Sequence, residues 1–403
     1  MDHDPVDTRR GFTTFRTPVG LLAATILVVS VFPPCSVAQP GDVYANDDRA
    51  NVIAVELRED PGVFPDSSDR ARSRLALLPI VFSSPDTRFA FGVLPQYIFR
   101  LAPDSRPSSL RADAYYTLNK QYSVQLSPDV WLARNRYKMS GKLEFKEWPT
   151  SYYGIGGSLE MASDSLDHEA FTERLFGVSA EVQRQLLPGL FVGVSYAVRH
   201  GRIKDLSPGG ELASGRVTGS GTGTASGIGL ILTWDTRDHI YFPRSGSLHR
   251  TSAAVFDAVL GSDYGFGGFE IDLRRYVPLA SRHVVALKLE GSFRSGAPPF
   301  RMLPGLGESL RGYNTTRHID RNRASIQVEY RFVPVWWRLG FVVFGGVGDT
   351  ASRIQDLGRR QPKYAFGFGI RGVAFEGEMI TVRFDFGFGQ SSSGDYLDLN
   401  EAY

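Results

Sequence analysis

Pro304-Gly305-Leu306-Gly307-Glu308-Ser309-Leu310-Arg311-Gly312-Tyr313 is a poor strand and a poor helix. Gly305, Gly307 and Gly312 allow the backbone angles that a tight turn needs, so the chain can carry Arg311 to a fixed place. A guanidinium stays charged in a protein, so a loop folded inside something must set Arg311 against a carboxylate. An exposed loop with a solvated arginine is the plainer alternative. The flanks favour the inward fold. Val285, Leu287 and Leu289 interleave with Ala286, Lys288 and Glu290 before the loop. After it, Ile326, Val328, Tyr330 and Phe332 interleave with Gln327, Glu329 and Arg331. A two-residue period puts each set on its own face of a strand, one apolar and one charged.

The same alternation runs through most of the chain. Strand patterns fall near residues 88–101, 109–119, 121–132, 136–147, 152–163, 169–186, 189–200, 224–236, 246–258, 264–278, 281–293, 320–333, 336–348, 363–375, 377–389 and 395–403, sixteen in all. Ile228, Leu230, Leu232 and Trp234 share one face, with Gly229, Thr233 and Asp235 on the other. Ile380, Val382, Phe384, Phe386 and Phe388 oppose Thr381, Arg383, Asp385 and Gly387. Composition points the same way: 12% aromatic residues and 43 glycines stand beside 22% charged residues. A soluble sandwich also alternates, but it needs no aromatic girdle. The predicted fold is all-β, a sixteen-stranded antiparallel transmembrane barrel, since an even number of tilted strands can close and leave no backbone unpaired in lipid.

Leu310-Arg311-Gly312-Tyr313 resembles the Val-Arg-Gly-Phe/Tyr signature in the sixth extracellular loop of the BamA/TamA family of outer-membrane barrels, the bacterial surface antigen domain. The resemblance implies that loop 6 folds into the lumen and that Arg311, Gly312 and Tyr313 form a clasp in which Arg311 meets carboxylates. Glu329 matches one acid of that family. Where a second acid is usual the chain reads Phe344-Gly345-Gly346-Val347-Gly348, with Gly346 in its place. Asp385 or Asp349 is the substitute that this leaves. Asp235-Thr236-Arg237-Asp238, with Phe242-Pro243 and Gly246, resembles the family's turn between strands eight and nine. From the residues alone, Asp235, Arg237 and Asp238 satisfy backbone groups in a tight periplasmic turn, and Pro243 ends the pairing before Gly246. The end of the chain, Tyr396 to Tyr403, alternates and finishes on an aromatic. It resembles the terminal signal by which assembly machinery recognises barrel precursors.

Residues 1–38 read as a secretory signal peptide. Arg9, Arg10 and Arg16 precede an apolar run from Val19 to Phe32, and Ser36-Val37-Ala38 supplies a small-residue cleavage site. The run is too short for the roughly 20 residues of a spanning helix. Cleavage would remove three arginines and three aspartates together with Cys35, leaving no cysteine chemistry and a net charge still at +2. Residues 39–75 are polar and irregular, a short periplasmic lead or partial plug, too short for one of the family's periplasmic (POTRA) domains. The barrel is expected over residues 76–403.

A balanced charge gives no footing for nucleic acid. Gly367-Phe368-Gly369-Ile370-Arg371-Gly372 spells a dinucleotide pattern but lies inside an alternating strand and opens no helix. No nucleophile elbow, zinc helix or phosphate loop is present, and the histidines have no ligand spacing. The sequence therefore reads as no enzyme, with neither cofactor nor metal. By resemblance it assists insertion, assembly or translocation of proteins, or of lipids, at a bacterial outer membrane reached after signal-dependent export. Its expected partners are outer-membrane lipid, the assembly machinery during biogenesis, and protein clients or periplasmic partners. The alternative is a passive pore or structural barrel that kept the fold and lost the transport role.

Overall fold

The computed structural model describes residues 73–84, 88–156, 168–336, 338–359, 362–375, 380–390 and 392–403. The expected signal peptide and the lead up to residue 72 lie outside them. Sixteen strands follow one another: β1 (Arg74–Ser84), β2 (Arg88–Phe99), β3 (Ser108–Thr117), β4 (Tyr122–Leu132), β5 (Tyr137–Tyr152), β6 (Glu169–Leu187), β7 (Leu190–Lys204), β8 (Thr222–Asp235), β9 (Gly246–Phe256), β10 (Phe266–Ala280), β11 (His283–Gly296), β12 (Asn322–Trp336), β13 (Leu339–Ala351), β14 (Lys363–Phe375), β15 (Ile380–Phe388) and β16 (Ser393–Leu399). Each pairs antiparallel with the next in one sheet ordered β1 to β16. β1 and β16 meet, which brings the sheet round into a nearly closed barrel.

The strand count agrees with the sequence, but two strands differ. β1 is not among the predicted strands, although only Arg74 and Leu75 of it fall in the expected lead and the rest in the expected barrel; its centre, Leu75-Ala76-Leu77-Leu78-Pro79, carries no polar partner set, so the alternation that marks a strand is missing there. The strand predicted at 152–163 does not stand on its own. Tyr152 is the last residue of β5, Ile155 only bridges to Ile319, and residues 157–163 lie outside the described residues.

Alternation sorts the side chains as the period requires. Leu230 is 66% exposed and Phe366 64%, in a belt that includes Ile228, Leu232, Ile326, Val328, Phe341 and Phe368. Such a wide apolar exterior has no soluble rationale and suits hydrocarbon. Gln183, Asp235, Gln327, Glu329, Arg331, Arg371, Thr381 and Asp385 are buried on the inner face. Among the described residues no helix is long and apolar enough to cross a membrane.

Two-residue turns at 188–189 and 281–282 lie at one end, and the long segments 205–221 and 297–321 at the other. At the long-loop end Tyr152, Phe171, Ile203, Leu212, Val217, Phe300, Leu303 and Ile319 pack into one apolar cluster. Loops gain order there because burying these rings offsets the entropy of fixing the backbone.

Candidate functional site: a lumenal clasp and an unzipped seam

The stretch from Pro304 to Tyr313 lies inside the barrel and is buried apart from Gly307 and Glu308, with Leu306, Leu310, Arg311 and Tyr313 all covered. Arg311 donates through Nη2 to Glu329 Oε2 and through Nη1 to Asp385 Oδ2, both at 2.5 Å. Its guanidinium carbon sits 3.4 Å from the centre of the Phe344 ring, a cation–π contact at close range. Gly312 has φ of 103°, a left-handed angle that glycine adopts without strain, and its N–H donates to the Tyr396 hydroxyl at 2.8 Å. The Tyr313 hydroxyl donates to the Tyr364 carbonyl at 2.8 Å and accepts from the Gln390 N–H. The loop is thus pinned to β14, β15 and β16 by its own three-residue signature.

The barrel wall is cut to receive it. A Cβ on Gly346 would come within 2.9 Å of Leu310 Cδ2, and one on Gly348 within 2.8 Å of Leu306 Cδ1. The position where an acid was expected is therefore filled by the loop's own leucine. Asp385 on β15 supplies the second carboxylate instead, while Asp349 caps the next loop by accepting from the N–H of Gly358 at 2.8 Å. On β15, a Cβ at Gly387 would meet the Arg311 backbone at 2.8 Å.

Further groups join the clasp that the sequence did not single out. Arg331 Nε donates to Glu329 Oε1 at 2.7 Å, and Arg371 Nη1 to Asp385 Oδ1 at 2.5 Å. Arg371 Nε reaches Glu401 Oε2 at 2.8 Å, with Arg331 Nε 3.7 Å from the same oxygen. Arg383 spans Asp385 and Asp398, each at 3.1 Å. Four arginines (Arg311, Arg331, Arg371, Arg383) so face four carboxylates (Glu329, Asp385, Asp398, Glu401). A buried charge survives only when paired, and this set is balanced.

Glu401 is there because the tail turns inward. The strand expected over 395–403 stops at Leu399, and Asn400 takes φ of 67°. Tyr403 then packs on Tyr276, Val284 and Ala286 inside the barrel, with its main-chain oxygen accepting from Arg331. In the folded barrel neither aromatic of the expected terminal signal faces lipid: Tyr396 serves loop 6, and Tyr403 fills the lumen.

The turn after β8 also reaches inward. Asp235 accepts from the N–H of Arg237 at 3.2 Å and from its Nε at 2.9 Å, and from Arg106 Nη1 at 2.6 Å. Burial works against the charge of Arg237, yet its bonds to Asp235 outweigh this and raise its pKa above the ordinary arginine value. Asp238 Oδ1 accepts from the N–H groups of Arg244 and Ser245, and Gly246 closes the turn at φ of 89°. The Pro243 carbonyl lies 3.5 Å from Arg331 Nη1. Tyr241 packs against Ala76, Leu94, Ile98 and Leu399, which belong to β1, β2 and β16.

Those strands flank the seam. Among the described residues no backbone ladder joins β1 to β16, and β16 is only 7 residues long against 19 for β6. Side chains span the gap instead. Arg111 on β3 pairs with Asp398 on β16 at 2.9 Å, Asn400 Nδ2 is 3.4 Å from Gln96 Oε1, and Tyr241 touches both banks. Such an arrangement can part by exchanging a few side-chain contacts, without unzipping a sheet. Among the described residues no cluster of His, Cys, Asp and Glu is placed to hold a metal.

A model of the Omp85 superfamily domain matches residues 106–398. No curated protein matches the chain. Among solved structures, BamA from Haemophilus ducreyi lacking POTRA domains 1–3 superposes with a TM-score of 0.53 at 12% identity, over 81% of this chain and 69% of that one. CdiB from Escherichia coli superposes with a TM-score of 0.52 at 8% identity, over 81% of this chain and 61% of that one. At such identities the likeness speaks for the fold alone. The domain match covers well over half of the chain, so the chain belongs to the Omp85 superfamily.

Proposed function

We propose that this barrel assists the insertion, assembly or translocation of proteins at the bacterial outer membrane, where it arrives by signal-dependent export. The observation that carries the reading is the seam: β16 is short, makes no ladder with β1, and is held by side chains. An opened seam offers two rows of unpaired N–H and C=O groups, a template on which an incoming strand can pair within hydrocarbon. The clasp keeps β12 and β15 in register while the seam parts, because loop 6 is anchored to both through Arg311. Long loops would face outward and the short turns the periplasm, with lipid around the apolar belt and protein clients as partners.

A passive pore needs an open lumen, and loop 6, the turn carrying Tyr241 and the tail all occupy this one. Purified barrel in planar bilayers and in liposomes carrying an unfolded client barrel tests the choice. The proposal expects faster client folding with little steady current. A large ohmic current without acceleration of client folding would favour the pore.

A further inference from the structure

Away from the clasp, the inner wall of β6, β7 and β8 carries a patch of glycines. Gly177 pairs with Arg199, and Gly201 lies between Leu175 and Gly223. A Cβ at Gly201 or Gly221 would meet nothing within 4 Å, so the patch is the floor of a real gap. The cavity above it measures about 40 Å³ and is bordered by Glu173, Arg199, Tyr264 and Arg301. That is room for about three waters, or for a small oxyanion that displaces them.

Unlike the clasp, this cluster is not balanced. Glu173 is held by Arg301 Nη2 at 2.8 Å and by Lys146 Nζ at 3.1 Å. Glu144 is held by Lys142 at 3.1 Å and Lys146 at 3.9 Å. Arg199 stands in register with Glu144 across Gly177, yet among the described residues it makes neither an ion pair nor a hydrogen bond. Arg301 Nε is buried without an acceptor. Four cations, Lys142, Lys146, Arg199 and Arg301, therefore stand over Glu144 and Glu173, with Glu308 a further charge on Arg301, and Arg199 and Arg301 border the cavity. A buried N–H with no acceptor is costly, and the Arg199 guanidinium together with the Arg301 Nε–H over a glycine floor matches the oxygens of a phosphate group.

We propose that this cavity is an oxyanion site that takes a phosphate group, with Arg199 and Arg301 as its donors and Glu173 holding Arg301 in place. Inorganic phosphate, titrated by calorimetry into the full-length barrel in a phosphate-free detergent, is the probe. Saturable binding to the wild type should weaken at least tenfold in Arg199→Gln. It should also weaken in Gly201→Leu, which fills the floor without changing charge. Arg134→Gln, which removes an exposed arginine, should bind like the wild type, and heat-modifiable gel mobility checks that every variant is folded. Displacement by a phosphomonoester lipid in the micelle would identify a lipid headgroup as the source, and its failure a soluble anion; either leaves the site standing. Absence of binding by the wild type, or equal binding by the wild type, Arg199→Gln and Gly201→Leu, overturns the proposal.

Discussion

Arg111 on β3 and Asp398 on β16 form an ion pair at 2.9 Å across strands that share no backbone ladder. Both side chains are about a quarter exposed, and Arg111 also holds Asp113 at 2.7 Å. Screening limits such a pair to roughly 0–1 kcal/mol. Its effect should therefore be local: in Arg111→Ala the unfolding midpoint stays close to wild type, while hydrogen exchange accelerates in β16 and not in β6. Uniform acceleration along the barrel would show that the pair supports the whole fold, not the seam.

Arg311→Ala strips Glu329 and Asp385 of their shared partner. Breaking a buried pair typically costs 3–5 kcal/mol. Glu329 keeps Arg331, and Asp385 keeps Arg371 and Arg383, so about 3 kcal/mol is expected. Denaturant unfolding followed by gel mobility measures it against Arg359→Ala, a change in an exposed loop arginine. Equal midpoints for the two variants would remove any special role for the clasp.

Gly346→Asp places at this position the acid that the resemblance leads one to expect, and should nevertheless harm this protein. The new side chain would press on Leu310 and set a carboxylate against an apolar group. Overpacking alone costs about 1–3 kcal/mol. A lowered unfolding midpoint is expected, and a variant as stable as wild type would mean that loop 6 is not seated where Leu310 lies.

Glu401→Gln removes the carboxylate that Arg371 and Arg331 share, leaving the tail anchored by Tyr403, by the Asn400 contact to Gln96 and by the backbone N–H groups of Asn400 and Glu401. Limited proteolysis of the folded barrel should then cut after Leu399 several-fold faster than in wild type. Unchanged cleavage would show that packing of Tyr403 on Tyr276 and Val284 suffices without the acid.

Much of this architecture could be read from the order of residues, and the misses have identifiable causes. Alternation places Glu329, Arg331 and Asp385 on inner faces, because a period of two fixes a face without further information. It does not say which inward charges meet. Arg331, Arg371 and Glu401 come together through closure of the sheet and the turn at Asn400, both of which depend on contacts distant in sequence. β1 escapes the pattern because Leu75 to Pro79 has no polar face, and the described part of 152–163 holds only the end of β5 at Tyr152 and a bridge at Ile155. The Arg-Gly-Tyr signature predicts an inward loop but not why glycine stands at 346, where a Cβ would meet Leu310.

Insertion by this route requires the seam between β1 and β16 to part during work. Ala76 and Leu399 lie in one buried cluster on its two banks, so a cysteine pair at these positions, joined by a short thiol crosslinker, ties them together. Client-barrel insertion into liposomes should collapse in the tethered protein and return when a cleavable crosslinker is cut. Undiminished insertion by the fully tethered barrel would contradict the proposed mechanism.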